Sequence, residues 1–189
     1  MNAAVKATLV DALERRRLVR LYRATLEPGR HSAEGYVMGM DEDLVLVGVV
    51  DPAIVLDGYR VLRTRDLTDA SSGFASAGFI EKALKLRRQA PSYPDGVRLG
   101  SMRAVIESAA RQFPLITLHR EREHKDSCWI GRVAEIDDLR VTIDYVTPEA
   151  TWEGQERYTL RTLTKVEFGG RYEEALASVA GAPDGSGAR

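Results

Sequence analysis

The stretch EGYVMGMDEDLVLVGVV, residues 34–50, has a close counterpart in IGRVAEIDDLRVTIDYV, residues 130–146. In each stretch an apolar run leads into a short acidic group, and a second apolar run follows. Acidic residues between two apolar runs are typical of a tight turn, so each stretch is predicted to be a β-hairpin. About half a chain separates the two hairpins, which suggests that a whole segment is repeated.

The similarity extends to both sides of the hairpins. Residues 6–23 align without a gap on residues 103–120, at an offset of 97. After one slip the offset becomes 96, and Gly35 then aligns with Gly131. Both glycines fall on predicted curved second strands, where a Cβ atom would crowd the wall of a barrel.

A further slip brings the offset to 98, which aligns the tripeptide LRT at 62–64 with LRT at 160–162. The slips fall in polar, Gly-rich or Pro-rich stretches, where loops tolerate insertions. We therefore interpret the chain as a tandem duplication. Chance similarity between two hairpin patterns is the alternative.

Each copy is predicted to contain a helix, about five short antiparallel strands and a second helix. The first helix is indicated by Val5, Leu9 and Leu13 at four-residue spacing, and in the second copy Ser101 is placed as its N-cap. Five short strands close most cheaply as a small barrel, because closure removes exposed edges. The predicted fold class is α+β, mainly β with helices: two tandem five-stranded small barrels, each preceded and followed by a helix.

The closing helices are predicted over AGFIEKALKLRRQ and GRYEEALASVA. Proline and glycine in APSYPDGV mark a linker between the copies. The predicted domains are residues 1–90 and 101–180, joined by a linker over 91–100. Residues 181–189 are small and polar, which predicts a disordered tail.

The bulk composition excludes several classes of protein. With 44% apolar and 29% charged residues, the chain has the balance of a soluble globular protein. A formal net charge of -1 argues against a chain that coats nucleic acid or an acidic membrane. The single cysteine, Cys128, excludes an internal disulfide framework and fits a reducing compartment. No signal peptide or long apolar run is present, so we expect a cytoplasmic protein that does not span a membrane.

A helix that leads into five strands, with Gly-x-Val-x-x-(Ile/Met)-Asp in the hairpin between the second and third, resembles the Sm-like family of small SH3-like barrels. The pattern stands at residues 35–41 and 131–137. The resemblance covers roughly residues 3–70 and 101–169, and it implies a tandem pair of Sm-like barrels. The second half of the chain also looks like a group of bacterial proteins of unassigned function.

The resemblance implies RNA binding only in part. Sm-like proteins commonly bind RNA through an Asp in this hairpin, an Asn four residues later and a basic-Gly pair between strands four and five. Asp41 and Asp137 match the first position, but Val45 and Val141 replace the Asn, and the basic-Gly pair is missing. The amide that reads a base edge and the cation that meets phosphate are therefore absent.

Candidate ligand or RNA contacts are the acidic hairpin residues, arginines of the predicted strands and one loop tryptophan. They are Asp41, Asp137, Arg20, Arg23, Arg63, Arg120, Arg161 and Trp152. The two Asp residues have an alternative role as turn residues, because hairpin turns use the same carboxylates for local hydrogen bonds. Trp152 has two interpretations, an interface anchor or a cap on the mouth of a barrel.

No pattern for catalysis or metal binding is convincing. His119, His124 and Cys128 lie within ten residues, but positions 119 and 124 point to opposite faces of an extended strand. Cys128 adjoins Trp129 and is predicted to pack in the core. There is no Gly-rich phosphate loop, nucleophile elbow or dinucleotide fingerprint. We expect no catalytic residue, no metal and no cofactor.

The sequence therefore predicts a non-enzymatic binding or scaffold protein that acts through protein–protein interaction. RNA or nucleotide binding through Arg-rich surfaces is the alternative. The expected partner is another protein or a second copy of the chain, with a monomer or homodimer as the oligomeric state.

Overall fold

The computed structural model describes residues 1–183. The chain divides into two compact units, and the division falls between Pro94 and Asp95, inside the predicted linker. Of the predicted tail, the part from residue 184 lies outside the described residues. The two units are described separately.

Unit 1 has a helix, four strands, a short 3-10 turn, a fifth strand and a second helix. These elements are α1 (Ala3–Arg15), β1 (Leu18–Tyr22), β2 (Ala33–Met40), β3 (Leu44–Val50), β4 (Leu56–Arg63), the 3-10 turn Thr64–Asp66, β5 (Asp69–Ser72) and α2 (Ala77–Leu86).

Unit 2 repeats this order of elements. They are α3 (Met102–Ala109), β6 (Ile116–His119), β7 (Cys128–Ile136), β8 (Arg140–Val146), β9 (Trp152–Thr159), the 3-10 turn Leu160–Thr162, β10 (Lys165–Phe168) and α4 (Arg171–Ala180). None of the helices within residues 1–183 has the length and apolar character needed to cross a membrane.

The prediction of two closed five-stranded barrels is wrong. The strand order is β5-β1-β2-β3-β4 in unit 1 and β10-β6-β7-β8-β9 in unit 2, and every ladder within a unit is antiparallel. Among the described residues β4 does not pair with β5, nor β9 with β10, so neither set of five strands is closed.

Closure was predicted because the edge strands of an open sheet have unpaired backbone groups that can pair with another chain. Two of the edge strands, β5 of unit 1 and β9 of unit 2, are protected in other ways. β5 has only four residues, of sequence DASS, and β9 has charged exposed residues and a register shift opposite Asp144 and Val146. Short, charged and bulged strands discourage edge pairing without closure.

Helices cover both faces of the unit 1 sheet. Val5 and Leu9 of α1 are buried against one face and Leu13 is partly buried beside them, as the four-residue spacing predicted; Ala12 is buried as well. Ile80 and Leu84 of α2 are buried against the other face. Because both faces are covered, β3 is apolar along its whole length.

Unit 2 is built in the same way. Ser101 caps α3, and its hydroxyl accepts a hydrogen bond from the amide of Ala104 at 3.1 Å, which confirms the predicted N-cap. Val105 and Ile106 of α3 are fully buried. Leu176 of α4 belongs to a separate hydrophobic cluster.

Corresponding strands bend at corresponding positions. The β2–β3 register shifts between Val37 and Gly39, and the β7–β8 register shifts between Val133 and Glu135, each 96 residues later. The alignment of the two LRT tripeptides is wrong. The first straddles the end of β4, whereas the second forms a 3-10 turn whose counterpart is Thr64–Asp66. The equivalent 3-10 turns have different sequences, TRD in unit 1 and LRT in unit 2. Aligning the two identical LRT tripeptides therefore paired residues that are not structurally equivalent.

Gly35 and Gly131 mark the closest approach of neighbouring strands. A Cβ atom on Gly35 would overlap the carbonyl oxygen of Gly48, and one on Gly131 would overlap that of Asp144. The predicted crowding is confirmed, but it occurs against a neighbouring strand of an open sheet and not at a barrel wall. The obstacle is the backbone of the adjacent strand, which cannot rotate away as a side chain can.

Candidate functional site

The acidic hairpin residues form their own turns. Oδ1 of Asp41 accepts hydrogen bonds from the amides of Asp43 and Leu44, both at 2.8 Å. Oδ1 of Asp137 accepts the equivalent two amides at 2.7 and 2.8 Å. These backbone hydrogen bonds lower the pKa of the Asp137 carboxyl. The turn interpretation accounts for both carboxylates.

Arg20 holds the segment that leads into α2. Its Nε lies in an ion pair with Glu34, and a terminal nitrogen donates to the Ser76 hydroxyl at 3.2 Å. The guanidinium carbon lies 3.9 Å from the centroid of the Phe74 ring, within cation–π range. Arg20 thus has a structural role at the start of α2.

Arg23 is fully buried. Its Nε donates to Oε2 of Glu27 at 3.2 Å, and a terminal nitrogen pairs with the same oxygen. Arg30 lies 3.6 Å from the other carboxylate oxygen of Glu27. A guanidinium that is buried and paired in this way does not contribute to an RNA-binding surface.

The other predicted arginines lie in different surroundings. Arg63 is the half-buried last residue of β4, and Arg161 is exposed in the 3-10 turn of unit 2. Arg120 follows β6 and pairs with Glu123. The structure therefore places the five predicted arginines in separate environments rather than on a shared strip within either unit.

Arg120 lies beside a group of aromatic rings in unit 2. Its guanidinium carbon is 5.8 Å from the ring centroids of both Trp129 and Tyr158. These two rings are tilted against each other with centroids 5.2 Å apart. His124 meets the Trp129 ring edge-on at 5.3 Å. We call these four residues the Arg120 cluster.

Trp152 covers a hydrophobic cluster and ties down the end of α4. Its Nε1 donates to the carbonyl oxygen of Ala180 at 3.1 Å. The ring packs with Leu115, Val146 and Leu176. The capping interpretation describes this contact, although no barrel mouth is present.

Cys128 does not pack in the core as predicted. It is the first residue of β7 and it is exposed. It is paired across the ladder with His119, whose pKa is lowered chiefly by burial. Desolvation also raises the pKa of the Cys128 thiol, which disfavours the thiolate that a nucleophile needs.

Metal binding finds no support in the arrangement of side chains. Within residues 1–183, no three His, Cys, Asp or Glu residues are placed to hold an ion together.

The outer face of α2 is a candidate interaction surface that the sequence analysis missed. Phe79 and Leu86 are 64% and 76% exposed and lie seven residues apart, hence on the same side of the helix. Lys82 lies between them on that side, and Lys85 adjoins Leu86. We call these four residues the α2 face. The signal in the sequence was two large apolar residues outside the buried stripe.

The α2 face is rigidly presented. Ile80 and Leu84 are buried beneath it, and Arg20 holds the chain before the helix. At the other end, Arg87 donates to the carbonyl oxygens of Ala53 and Ile54 at 2.7 and 2.6 Å. A surface held at both ends loses little freedom on binding.

The last helix of unit 2 has a smaller pair of the same kind. Tyr172 and Val179 of α4 are 55% and 77% exposed, again seven residues apart. α4 has no lysine; it has one arginine, Arg171, and the acidic residues Glu173 and Glu174, so this pair lacks the lysine rim of the α2 face.

Comparison of the chain with protein-family models, with curated proteins and with solved structures gives no match. The resemblance to the Sm-like family therefore rests on the sequence patterns alone.

Proposed function

We propose that the chain is a non-enzymatic protein-interaction module and that the α2 face binds its partner. The observation that carries this proposal is the outward-facing pair Phe79 and Leu86 on a rigidly held helix. Large apolar side chains exposed at two-turn spacing are the usual anchors of a helix that docks into a groove.

The charges around the pair indicate the chemistry of the partner. Lys82 and Lys85 adjoin the apolar side chains and are exposed. In a two-fold pairing of two α2 faces the lysines of one copy would approach those of the other, which is unfavourable. The proposed partner is therefore another protein with an apolar groove and an acidic rim.

The acidic hairpin residues and Cys128 also fit a protein that binds a partner without catalysing a reaction. The pairing of Asp41 and Asp137 with turn amides supports a structural role for the acidic residues. The raised pKa of the Cys128 thiol argues against a nucleophile. With a single cysteine in the chain, we place the protein in the cytoplasm.

We also infer that the two units arose from one duplicated segment. The identical order of elements, the register shifts 96 residues apart and the two strand glycines support this inference.

The test compares three forms of the full chain: wild type, Phe79→Ser with Leu86→Ser, and Tyr172→Ser with Val179→Ser as the matched control. Each form is used to capture proteins from a cell extract. Proteins that the wild type captures and the α2 variant does not are then purified, and their direct binding to each form is measured. The proposal expects direct binding to the wild type, a loss of at least about tenfold in the α2 variant and little change in the control.

Salt and charge provide the second readout. Lys82→Glu should weaken the purified complex, and raised salt should weaken the wild-type complex, because the partner's rim is acidic. The proposal fails if no captured protein requires Phe79 and Leu86. Concentration-dependent dimerisation abolished by the α2 variant would contradict the choice of partner, since it would make a second copy the occupant.

A further inference from the structure

The Arg120 cluster lies in unit 2 and is distinct from the proposed protein-binding face. Its rings come from two strands: Trp129 stands opposite Leu118 in the β6–β7 ladder, and Tyr158 stands opposite Val141 in the β8–β9 ladder. His124 belongs to the loop between β6 and β7. The side chains therefore converge only in the folded unit.

Two hydrogen-bond donors in the cluster have no partner among the described residues. They are Nε of Arg120 and the hydroxyl of Tyr158, and both atoms are buried. Tyr158 is 4% exposed, and burial raises the pKa of its phenol, which therefore remains a donor. Buried donors are almost always satisfied, so two in one cluster require an explanation.

Unit 1 fills the corresponding positions without unpaired donors. Ala33 stands opposite Leu21 where unit 2 has Trp129, and Leu62 stands opposite Val45 where unit 2 has Tyr158. The fold therefore tolerates small and aliphatic residues at both positions. The aromatic rings of unit 2 are not required by the architecture.

Arg23 shows the same contrast. In unit 1 the arginine forms a buried ion pair with Glu27, four residues later. In unit 2 the residue four positions after Arg120 is His124, which contacts Trp129 instead. Unit 2 thus replaces a buried ion pair by a partly exposed one, between Arg120 and Glu123, in which the cation also lies beside aromatic faces.

A planar ligand with acceptor atoms matches this combination of groups. Aromatic and guanidinium faces stack on nucleobases, and the stacking tolerates every base. Carbonyl oxygens and ring nitrogens of a base accept hydrogen bonds from N–H and O–H donors. The exposed Lys125 in the same loop is a suitable charge for a phosphate.

We propose that the Arg120 cluster binds a nucleotide base, which displaces the side chains that cover the two buried donors, stacks on Trp129 and accepts hydrogen bonds from Nε of Arg120 and the hydroxyl of Tyr158. The base belongs either to a free nucleotide or to single-stranded RNA. Both sources present the same ring and phosphate chemistry.

The experiment measures tryptophan fluorescence in a Trp152→Phe background, in which Trp129 is the remaining tryptophan. The probes are the four ribonucleoside 5′-monophosphates and a labelled ten-nucleotide single-stranded RNA of mixed sequence. Quenching that saturates is expected for at least one probe. Equal affinity for monophosphate and RNA indicates a free nucleotide, and tighter binding of RNA that weakens with salt indicates RNA.

Variants with intact rings or intact packing separate binding from folding. Tyr158→Phe keeps the ring and should weaken binding about tenfold through the lost hydrogen bond. Arg120→Lys removes Nε and should also weaken binding, whereas Arg161→Ala, an exposed arginine of the same unit, should leave it unchanged. Trp129→Leu, followed by anisotropy of the labelled RNA or by calorimetry with the monophosphate, should weaken binding by about tenfold or more.

Absence of saturable quenching by any probe up to about 10 mM would overturn the proposal, since this is weaker than specific recognition. Equal binding by the wild type and by Tyr158→Phe, Arg120→Lys and Trp129→Leu would overturn it as well. Neither result bears on the α2 face, so the two proposals fail separately.

Discussion

Arg23 and Arg120 occupy equivalent positions after the first strand of each unit, but their guanidinium groups have different partners. Arg23 is fully buried and paired with Glu27. Arg120 pairs with Glu123, whose side chain is 44% exposed, and faces two aromatic rings. The same residue type therefore has a core role in one unit and a surface role in the other.

The buried pair predicts a large cost for Arg23→Met. The substitution keeps an unbranched side chain but leaves the Glu27 carboxylate buried without its arginine. We expect a loss of about 3 kcal/mol in the free energy of unfolding, measured by urea denaturation. Arg120→Met is the matched control and should cost about 1 kcal/mol or less, because its partner is partly exposed.

The double variant Arg23→Met with Glu27→Leu tests the cause. Removing both charges should restore part of the lost stability, since no buried carboxylate then remains. If the double variant is as unstable as the sum of the two single variants, the ion pair does not account for the effect.

The strand glycines predict intolerance of a single methyl group. Gly131→Ala would force its Cβ into the carbonyl oxygen of Asp144, so the strands must separate, at a cost of about 1–3 kcal/mol. Gly35→Ala should behave in the same way. Gly78→Ala in α2 is the control. Apart from the nearby backbone of the helix itself, no atom lies within 4 Å of a Cβ added at Gly78, and alanine stabilises a helix by about 0.5–1 kcal/mol relative to glycine. Equal melting temperatures for Gly131→Ala and Gly78→Ala would contradict the structure.

Trp152 predicts a local effect on α4. Trp152→Phe removes the hydrogen bond to Ala180 but retains an aromatic ring, so the last turn of α4 should exchange its amide hydrogens faster. Trp152→Ala also removes packing and should cost about 3 kcal/mol. Hydrogen–deuterium exchange of α4, with α2 as the internal reference, distinguishes the two effects. Unchanged exchange in both variants would show that Trp152 does not restrain this helix.

His119 predicts a stability that declines in acid. Burial lowers its pKa below the ordinary 6.5, so the unfolded chain binds the proton more readily than the folded chain. Stability is then complete above the unfolded pKa and is lost as the pH falls below about 6.5. The acidic residues Glu121 and Glu167 and the cation Lys165 surround the imidazole and modulate the shift.

The measurement compares melting temperatures of the wild type and His119→Asn between pH 7.5 and 5.5. The variant has no imidazole to protonate, so its melting temperature should fall less over this range. Parallel decline of both proteins would assign the acid sensitivity to other groups.

Helices, helix caps and hairpin turns that depend on neighbouring residues could be predicted from the sequence. The four-residue spacing of Val5 and Leu9 predicted α1, and the side chain of Ser101 predicted the cap of α3. Apolar runs separated by Asp residues predicted both hairpins, since the carboxylates bond to amides two and three residues away. In each case the interacting groups are neighbours in the chain, so the pattern carries the information.

Closure of the sheets, by contrast, was decided by contacts between distant residues. Whether β5 meets β4 or only β1 depends on strand twist and length, which no local pattern encodes. The exposure of Cys128 likewise depends on where the packed region ends. The residue types in β4, in β5 and at Cys128 are compatible with an open or a closed sheet and with an exposed or a buried cysteine.

The candidate sites show the same division. The sequence by itself determined that arginines and aromatic residues were present, and it predicted the helix that contains Phe79 and Leu86, but not that these two side chains are exposed. Tertiary structure decided that Arg20 packs on Phe74, fifty-four residues later in the chain. It also decided that Arg120 lies beside Trp129 and Tyr158, which belong to two different strands. The availability of a side chain for a ligand depends on its neighbours in space, and long-range pairing of strands sets those neighbours.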